Sequence, residues 1–188
     1  MTVMVRLAFF SFLVVLFSVL TGSPKHNAFA VSPSALMRPN LEIVVTKSKS
    51  DSLDGSDYDN RQQTFEFTVK IRNKDFSKDL ENLNAELYVV GKYVTSNEYV
   101  LLDKATSSFG LPRGKEHSFK GNPIELSYDD NKAARFGVKY NGYLVFVQDR
   151  DGNILAEKGN KTSFLKYIDK LRNINKEQRF NKKLDIID

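Results

Sequence analysis

The chain has 188 residues, 41% hydrophobic, 12% aromatic and 27% charged, a composition that suits one globular domain rather than two. It has no cysteine, no tryptophan and two histidines, which excludes disulfides, thiolate catalysis and thiolate-held metals and nearly excludes multi-histidine sites. The formal net charge of +5 sits at the ends: residues 159–188 carry +4, residues 1–30 hold Arg6 and Lys25 without an acid, and the body, 31–158, is close to neutral. That distribution argues against a nucleic-acid-binding core.

The first thirty residues read as an export signal. Arg6 opens an apolar run from Leu7 to Leu20, too short for a membrane span and of the length of a signal-peptide core. Thr21, Gly22, Ser23 and Pro24 break it. Ala28-Phe29-Ala30 places small residues at −3 and −1 of a cleavage point before Val31, and an earlier cut near Ser23 is the other position. The competing reading is an uncleaved N-terminal anchor. A cysteine-free exported chain of this size stands on its core, which points to a secreted, periplasmic or cell-surface bacterial protein.

Residues 31–40, with Pro33 and Pro39, form a linker, and 41–160 form the domain. Leu41–Thr46 is a first strand. Lys47–Asn60 is polar and reads as a loop. In Thr64–Arg72 the apolar residues fall at 65, 67, 69 and 71, and this period of two marks a strand with one face inward. Leu83, Ala85, Leu87 and Val89 repeat the pattern, and Gly91 ends or bulges that strand. Tyr99–Leu102 and Ala105–Phe109 follow with a bend between them. Leu111–Gly114 is a turn, His117–Phe119 a weak strand, and Ile124, Leu126 and Tyr128 alternate again. Gly142–Gln148 is apolar on both faces, as a central buried strand is. Asp149–Asn153 is a hairpin turn, with Asp-Gly supplying positive φ, and Ile154–Glu157 returns beside it. Seven or eight strands without a helical crossover predict an all-β fold, a single antiparallel β-sandwich.

Thr162 or Ser163 is a candidate cap for a final helix whose Phe164, Leu165, Ile168 and Leu171 form one apolar stripe. Beyond Asn173 the chain is Lys/Asn-rich, and residues 161–188 are expected to be an amphipathic helix and a disordered basic tail. The tail either packs its stripe on the sandwich or contacts an anionic surface.

The strand order, the Gly142–Gln148 strand and its Asp-Gly hairpin resemble an immunoglobulin-like or fibronectin-III-like domain over residues 41–158. A looser similarity is to exported Ig-like proteins of Verrucomicrobia-type bacteria, some of them pilus-associated; it rests on layout. The cysteine pair and tryptophan of antibody domains are absent.

Asp51, Asp54, Asp57 and Asp59 form an acidic segment that offers oxygens to calcium, with Asp129-Asp130 or Asp149 and Asp151 as complements. Its spacing is not that of an EF-hand, and a solvated loop is the plainer reading. His117, the only histidine left after export, reads as structural. No carboxylate pair, phosphate loop or nucleophile motif stands out, so a small carboxylate-dependent hydrolase is the least favoured function. Six tyrosines (Tyr88, Tyr93, Tyr99, Tyr128, Tyr140 and Tyr143) are candidates for sugar stacking or for covering strand ends. Tyr88 draws attention because Asn84 and Glu86 share its strand face and are polar, which predicts an exposed ligand surface. The expected function is a non-catalytic interaction or assembly module at the cell envelope, pilus- or adhesion-associated, with a protein partner and no cofactor. A carbohydrate- or calcium-dependent binding module is the alternative.

Overall fold

The computed structural model describes residues 39–54, 57–129 and 135–187, with side chains described outside 53–61. The chain divides into two units, Met1–Leu36 and Met37–Asp188, and the described fold belongs to the second. The export signal and its cleavage point lie outside the described residues. Among the described residues no helix is long and apolar enough to cross a membrane.

The fold is an antiparallel β-sandwich. Its strands are β1 (Leu41–Asp54), β2 (Asp57–Asn73), β3 (Leu80–Tyr93), β4 (Tyr99–Leu111), β5 (Glu116–Lys120), β6 (Ile124–Asp129), β7 (Phe136–Gln148), β8 (Ile154–Gly159) and the two-residue β9 (Arg179–Phe180). β1 pairs with β2, whose other edge is shared by β6 along residues 60–65 and by β5 along residues 68–72. The second sheet has the order β8-β7-β3-β4-β9. The start of β7 also pairs with β6, so the sheets run into each other along one side. At that corner Gly137 has φ of 84°, and a Cβ there would lie 2.1 Å from the Ser127 carbonyl oxygen. Only glycine fits both constraints.

The period-two residues behave as their spacing requires. Phe65, Phe67, Val69 and Ile71 of β2 are buried against Leu83, Ala85, Leu87 and Val89 of β3 and Val145 and Val147 of β7. Asp103 of β4 is buried and ties the sheets together. Its carboxylate accepts hydrogen bonds from the Asn122 backbone N–H at 2.9 Å and Asn122 Nδ2 at 2.8 Å. A Cβ on Gly121 would lie 2.7 Å from that same carboxylate.

Two expectations are corrected. The polar stretch 47–60 belongs to a long β-hairpin: Ser50 pairs with Thr64, Asp51 with Gln63 and Ser52 with Gln62. Lys47–Ser52 are exposed on both faces, so this ladder of backbone bonds leaves no apolar alternation. Ala105–Phe109 does continue Tyr99–Leu102 as one strand, β4, and the bend between them is a register shift opposite Val89/Val90. The segment after β8 is also ordered. A 3-10 turn over Thr162–Tyr167 leads into α1 (Ile168–Asn173), and neither Thr162 nor Ser163 supplies a side-chain cap. Beyond α1 the chain is not a solvated tail: Ile174, Phe180 and Leu184 are buried. β9 pairs with the start of β4, and Ile186 bridges back to Phe180.

The C-terminal segment therefore makes a third layer. Tyr88, Val90, Leu101, Leu144 and Phe146 on the outer face of the second sheet pack with Phe164, Leu171, Ile174, Phe180 and Leu184. This explains why Gly142–Gln148 is apolar on both faces. Val145 and Val147 meet the first sheet, and Leu144 and Phe146 meet the C-terminal layer.

Candidate functional site

The Asn84–Glu86–Tyr88 face is not an open ligand surface. Tyr88 is fully buried and Glu86 is 5% exposed. β3 aims both side chains at the C-terminal layer, where they join a polar network that the local sequence does not reveal. Glu86 is its hub. Its Oε2 accepts from the Tyr88 hydroxyl at 2.5 Å. Its Oε1 accepts from Arg172 Nη2 at 2.9 Å, Arg172 Nε at 3.2 Å and Gln148 Nε2 at 3.2 Å. Asn84 Nδ2 donates to the same oxygen at 3.4 Å, and Ser108 Oγ donates to Asn84 Oδ1 at 3.2 Å. Arg172 Nη2 also donates to Gln148 Oε1 at 2.5 Å, and its guanidinium lies over the Phe146 ring. Lys104 Nζ donates to the Arg172 carbonyl at 2.8 Å.

Burial alone would lower the pKa of Arg172, but the hydrogen bond and charge of Glu86 outweigh it and hold the value above the ordinary one. Burial, then the hydrogen bond and charge of Glu86, push the Tyr88 hydroxyl far above the ordinary tyrosine value of 10.0. The Glu86 carboxylate and the Tyr88 hydroxyl are taken up by these bonds, and the Arg172 guanidinium is tied by its Nε and Nη2 to Glu86 and Gln148. The cluster fastens the third layer to the sheet.

A pH dependence follows. The folded state holds Tyr88 protonated, so its contribution is fully present below the unfolded tyrosine value and is lost as pH rises above it. Stability measured by denaturant is expected to fall above about pH 10. The difference between the wild type and Tyr88→Phe, about 1–3 kcal/mol near neutrality because Glu86 loses a donor, should shrink there. A difference constant from pH 8 to 11 contradicts this.

Of the acidic segment only the Asp51 side chain is described. Asp51 lies on β1, exposed, with its carboxylate 2.7 Å from Lys49 Nζ. Asp54 is the last β1 residue and pairs in register with Asp57, the first of β2. Their side chains and that of Asp59 lie outside the described residues. Asp149 is occupied inside its turn, accepting from the backbone N–H groups of Asp151 and Asn153 and from Asn153 Nδ2. Those bonds, led by that of the Asn153 side chain, hold its carboxyl below the usual range. Among the described residues no three potential ligand side chains converge.

His117 stacks on Phe109, with ring centroids 4.0 Å apart, and its Nε2 lies 2.9 Å from Ser107 Oγ. Burial lowers its pKa. The pair bridges β5 and β4 where the two sheets meet. The remaining tyrosines divide by environment. Tyr140 lies against Phe65 and Phe67 and beneath the Lys47 ammonium, and burial pushes its hydroxyl up to about 12. Tyr99 stacks on Phe180.

Two features were not singled out by the sequence. One is the length of β1, whose only strand partner among the described residues is β2. Val44, on its outer face, is 46% exposed. The other is a cationic concavity of about 440 Å³ at the β3–β4 turn, lined by Lys92, Arg135 and Lys139 with Thr95, Ser96 and Asn97.

No family model matches the chain, and no curated protein matches its sequence. Among solved structures it is similar to part of a β-glucuronidase from Bacteroides uniformis, with TM-score 0.32 and 12% identity, over 60% of this chain and 12% of that one. A protein from Akkermansia muciniphila gives 0.28 and 13%, over 69% and 76%. A β-glucosidase from Kluyveromyces marxianus gives 0.28 and 16%, over 64% and 14%. The chain thus spans about one eighth of the length of the β-glucuronidase. Likenesses with TM-scores this low assign neither family nor activity.

Proposed function

We propose that the protein is an exported, non-catalytic, Ig-like interaction module that joins an envelope or surface assembly through the edge of β1 that β2 does not bond among the described residues. The observation that carries this reading is the edge itself. Among the described residues β1, 14 residues long, is hydrogen-bonded only to β2, with β8 of the other sheet alongside it, and its remaining backbone donors and acceptors form a row. Such a row pairs with an extended segment of another chain. Its two halves differ in character. Leu41–Thr46 is mostly apolar (Leu41, Ile43, Val44 and Val45), with Val44 exposed on the outer face, and Lys47 and Lys49 follow. Charges of that kind discourage indiscriminate pairing, so the apolar half is the docking half.

The test is a photo-crosslinking amino acid at Val44, compared with the same probe at the exposed Lys183 of the C-terminal segment, in cells that export the protein. A discrete adduct at Val44, absent at Lys183 and lost when Thr46 is changed to Pro, is expected. Equal labelling at both positions, or none above background at Val44, contradicts the reading.

A further inference from the structure

Asn141 lies at an irregular point of β7. The β3–β7 register passes from Val90 opposite Gly142 to Gly91 opposite Tyr140, so Asn141 faces no residue of β3. On the other side of β7 the partner strand β8 ends at Gly159, opposite Leu144. There the Asn160 side chain continues the ladder in place of a peptide group. Its Oδ1 accepts from the Tyr143 backbone N–H at 3.0 Å, and its Nδ2 donates to the Asn141 carbonyl at 3.4 Å. One amide thus holds the two peptide groups that flank Gly142. It lies so close that a Cβ on Gly142 would overlap Asn160 Oδ1. That packing requires glycine at 142 and so places an Asn-Gly pair in the strand.

An asparagine followed by glycine is open to attack by the chain itself, because no side chain shields the next backbone nitrogen. We propose that Asn141 is a self-modification site gated by Asn160. In the reaction the Gly142 nitrogen bonds to Asn141 Cγ, the Cγ–Nδ2 bond breaks, and Nδ2 leaves as ammonia with the proton given up by Gly142. Water then opens the succinimide, at Cγ to give aspartate or at the main-chain carbonyl to give isoaspartate. The attack needs the Asn141–Gly142 peptide to turn about the Asn141 Cα–C bond until its nitrogen meets Cγ. While Asn160 is seated, the carbonyl of that peptide and the N–H of the next are both held, and the turn is blocked. Asn141 Oδ1 is buried and, among the described residues, has no hydrogen-bond partner. A carboxylate placed there is a charge without a donor, so the converted chain does not seat Asn160 again. The site therefore records each opening of this end of β8. None of these residues lies on β1, so the proposal stands apart from the edge-strand reading.

The test incubates the full chain at mildly alkaline pH, native and in concentrated urea. Asn141 is followed by peptide mapping with fragmentation that separates aspartate from isoaspartate. Conversion with isoaspartate among the products is expected in urea, and conversion at least about tenfold slower in the native protein. Asn160→Ala should raise the native rate at least about fivefold and leave the urea rate unchanged. It should melt close to the wild type, because the groups it frees lie at an exposed place where water replaces the amide. Asn160→Asp keeps the acceptor for Tyr143 and loses the donor to Asn141, so its native rate should fall between the two, and it decides the matter if the alanine variant melts low. Lys158→Ala, exposed on the same strand, should convert as the wild type does. No conversion of Asn141 in urea overturns the site. Native conversion as fast as in urea, or a native rate that neither Asn160 variant raises, overturns the gate.

Discussion

Phe180→Ala is expected to destabilise the protein by about 3–5 kcal/mol, and deletion of residues 161–188 to abolish cooperative folding. Phe180 is fully buried, with its ring centroid 5.9 Å from that of Tyr99 and 6.1 Å from that of Phe164. Truncating a phenylalanine in such a place removes its transfer free energy and leaves a cavity, and the two together reach that range. Deletion does more. It uncovers Tyr88, Val90, Leu101, Leu144 and Phe146 at once, each worth about 1.5–3 kcal/mol when buried. Their sum is comparable with the whole stability of a typical domain, about 5–15 kcal/mol. Denaturant melts of Phe180→Ala beside an exposed control, Lys183→Ala, measure the effect. A truncated protein that melts within 1 kcal/mol of the full chain contradicts the third layer.

The second large effect lies at Glu86. Glu86→Ala leaves the Arg172 guanidinium and the Tyr88 hydroxyl without their shared acceptor. Removing one member of a buried ion pair costs about 3–5 kcal/mol. The lower end applies here, because the Arg172 side chain is 34% exposed and water screens part of its charge. Arg172→Met should cost less than Glu86→Ala, since the carboxylate keeps Tyr88, Gln148 and Asn84 as donors. The two changes share one network, so their costs should not add, with a coupling of about 1–3 kcal/mol in a double-mutant cycle. Additive costs would show that the network does not act as a unit.

These two sites also mark where sequence patterns stop being informative. Alternation at Phe65–Ile71 and Leu83–Val89, and the two-faced run Gly142–Gln148, exposed the strands because each had a face to bury. The hairpin of Lys47–Gln63 was illegible because its pairing is a backbone ladder between two polar strands. The third layer was illegible for another reason. Ile174, Phe180 and Leu184 are single apolar residues at irregular spacing, each buried by the route of the chain and not by a periodic face. Asn84, Glu86 and Tyr88 misled because polar residues on one strand face ordinarily meet water. Here their partners, Gln148 and Arg172, come from 62 and 86 residues away from Glu86. Of the acidic run only the Asp51 side chain is described, and it pairs with Lys49 two residues back on the same strand.

The arrangement also bears on how the molecule presents itself. With the outer face of the second sheet covered by its own C-terminal segment, the surfaces left for partners are the outer face of the first sheet, strand edges and the ends of the sandwich. The edge-strand proposal uses one of them. An edge needs a scaffold that stays fixed while a partner strand docks, and the third layer supplies that stiffness by locking β3, β4 and β7 from behind.

Hydrogen exchange of the full chain, read peptide by peptide, tests the three-layer architecture most directly. Amides of Ile174–Leu184 should be protected, and should open together with those of Glu86–Val90 and Leu144–Val147, since one layer cannot leave without uncovering the other. Exchange of residues 174–187 at the rate of an unfolded chain, while the two sheets stay protected, would contradict it.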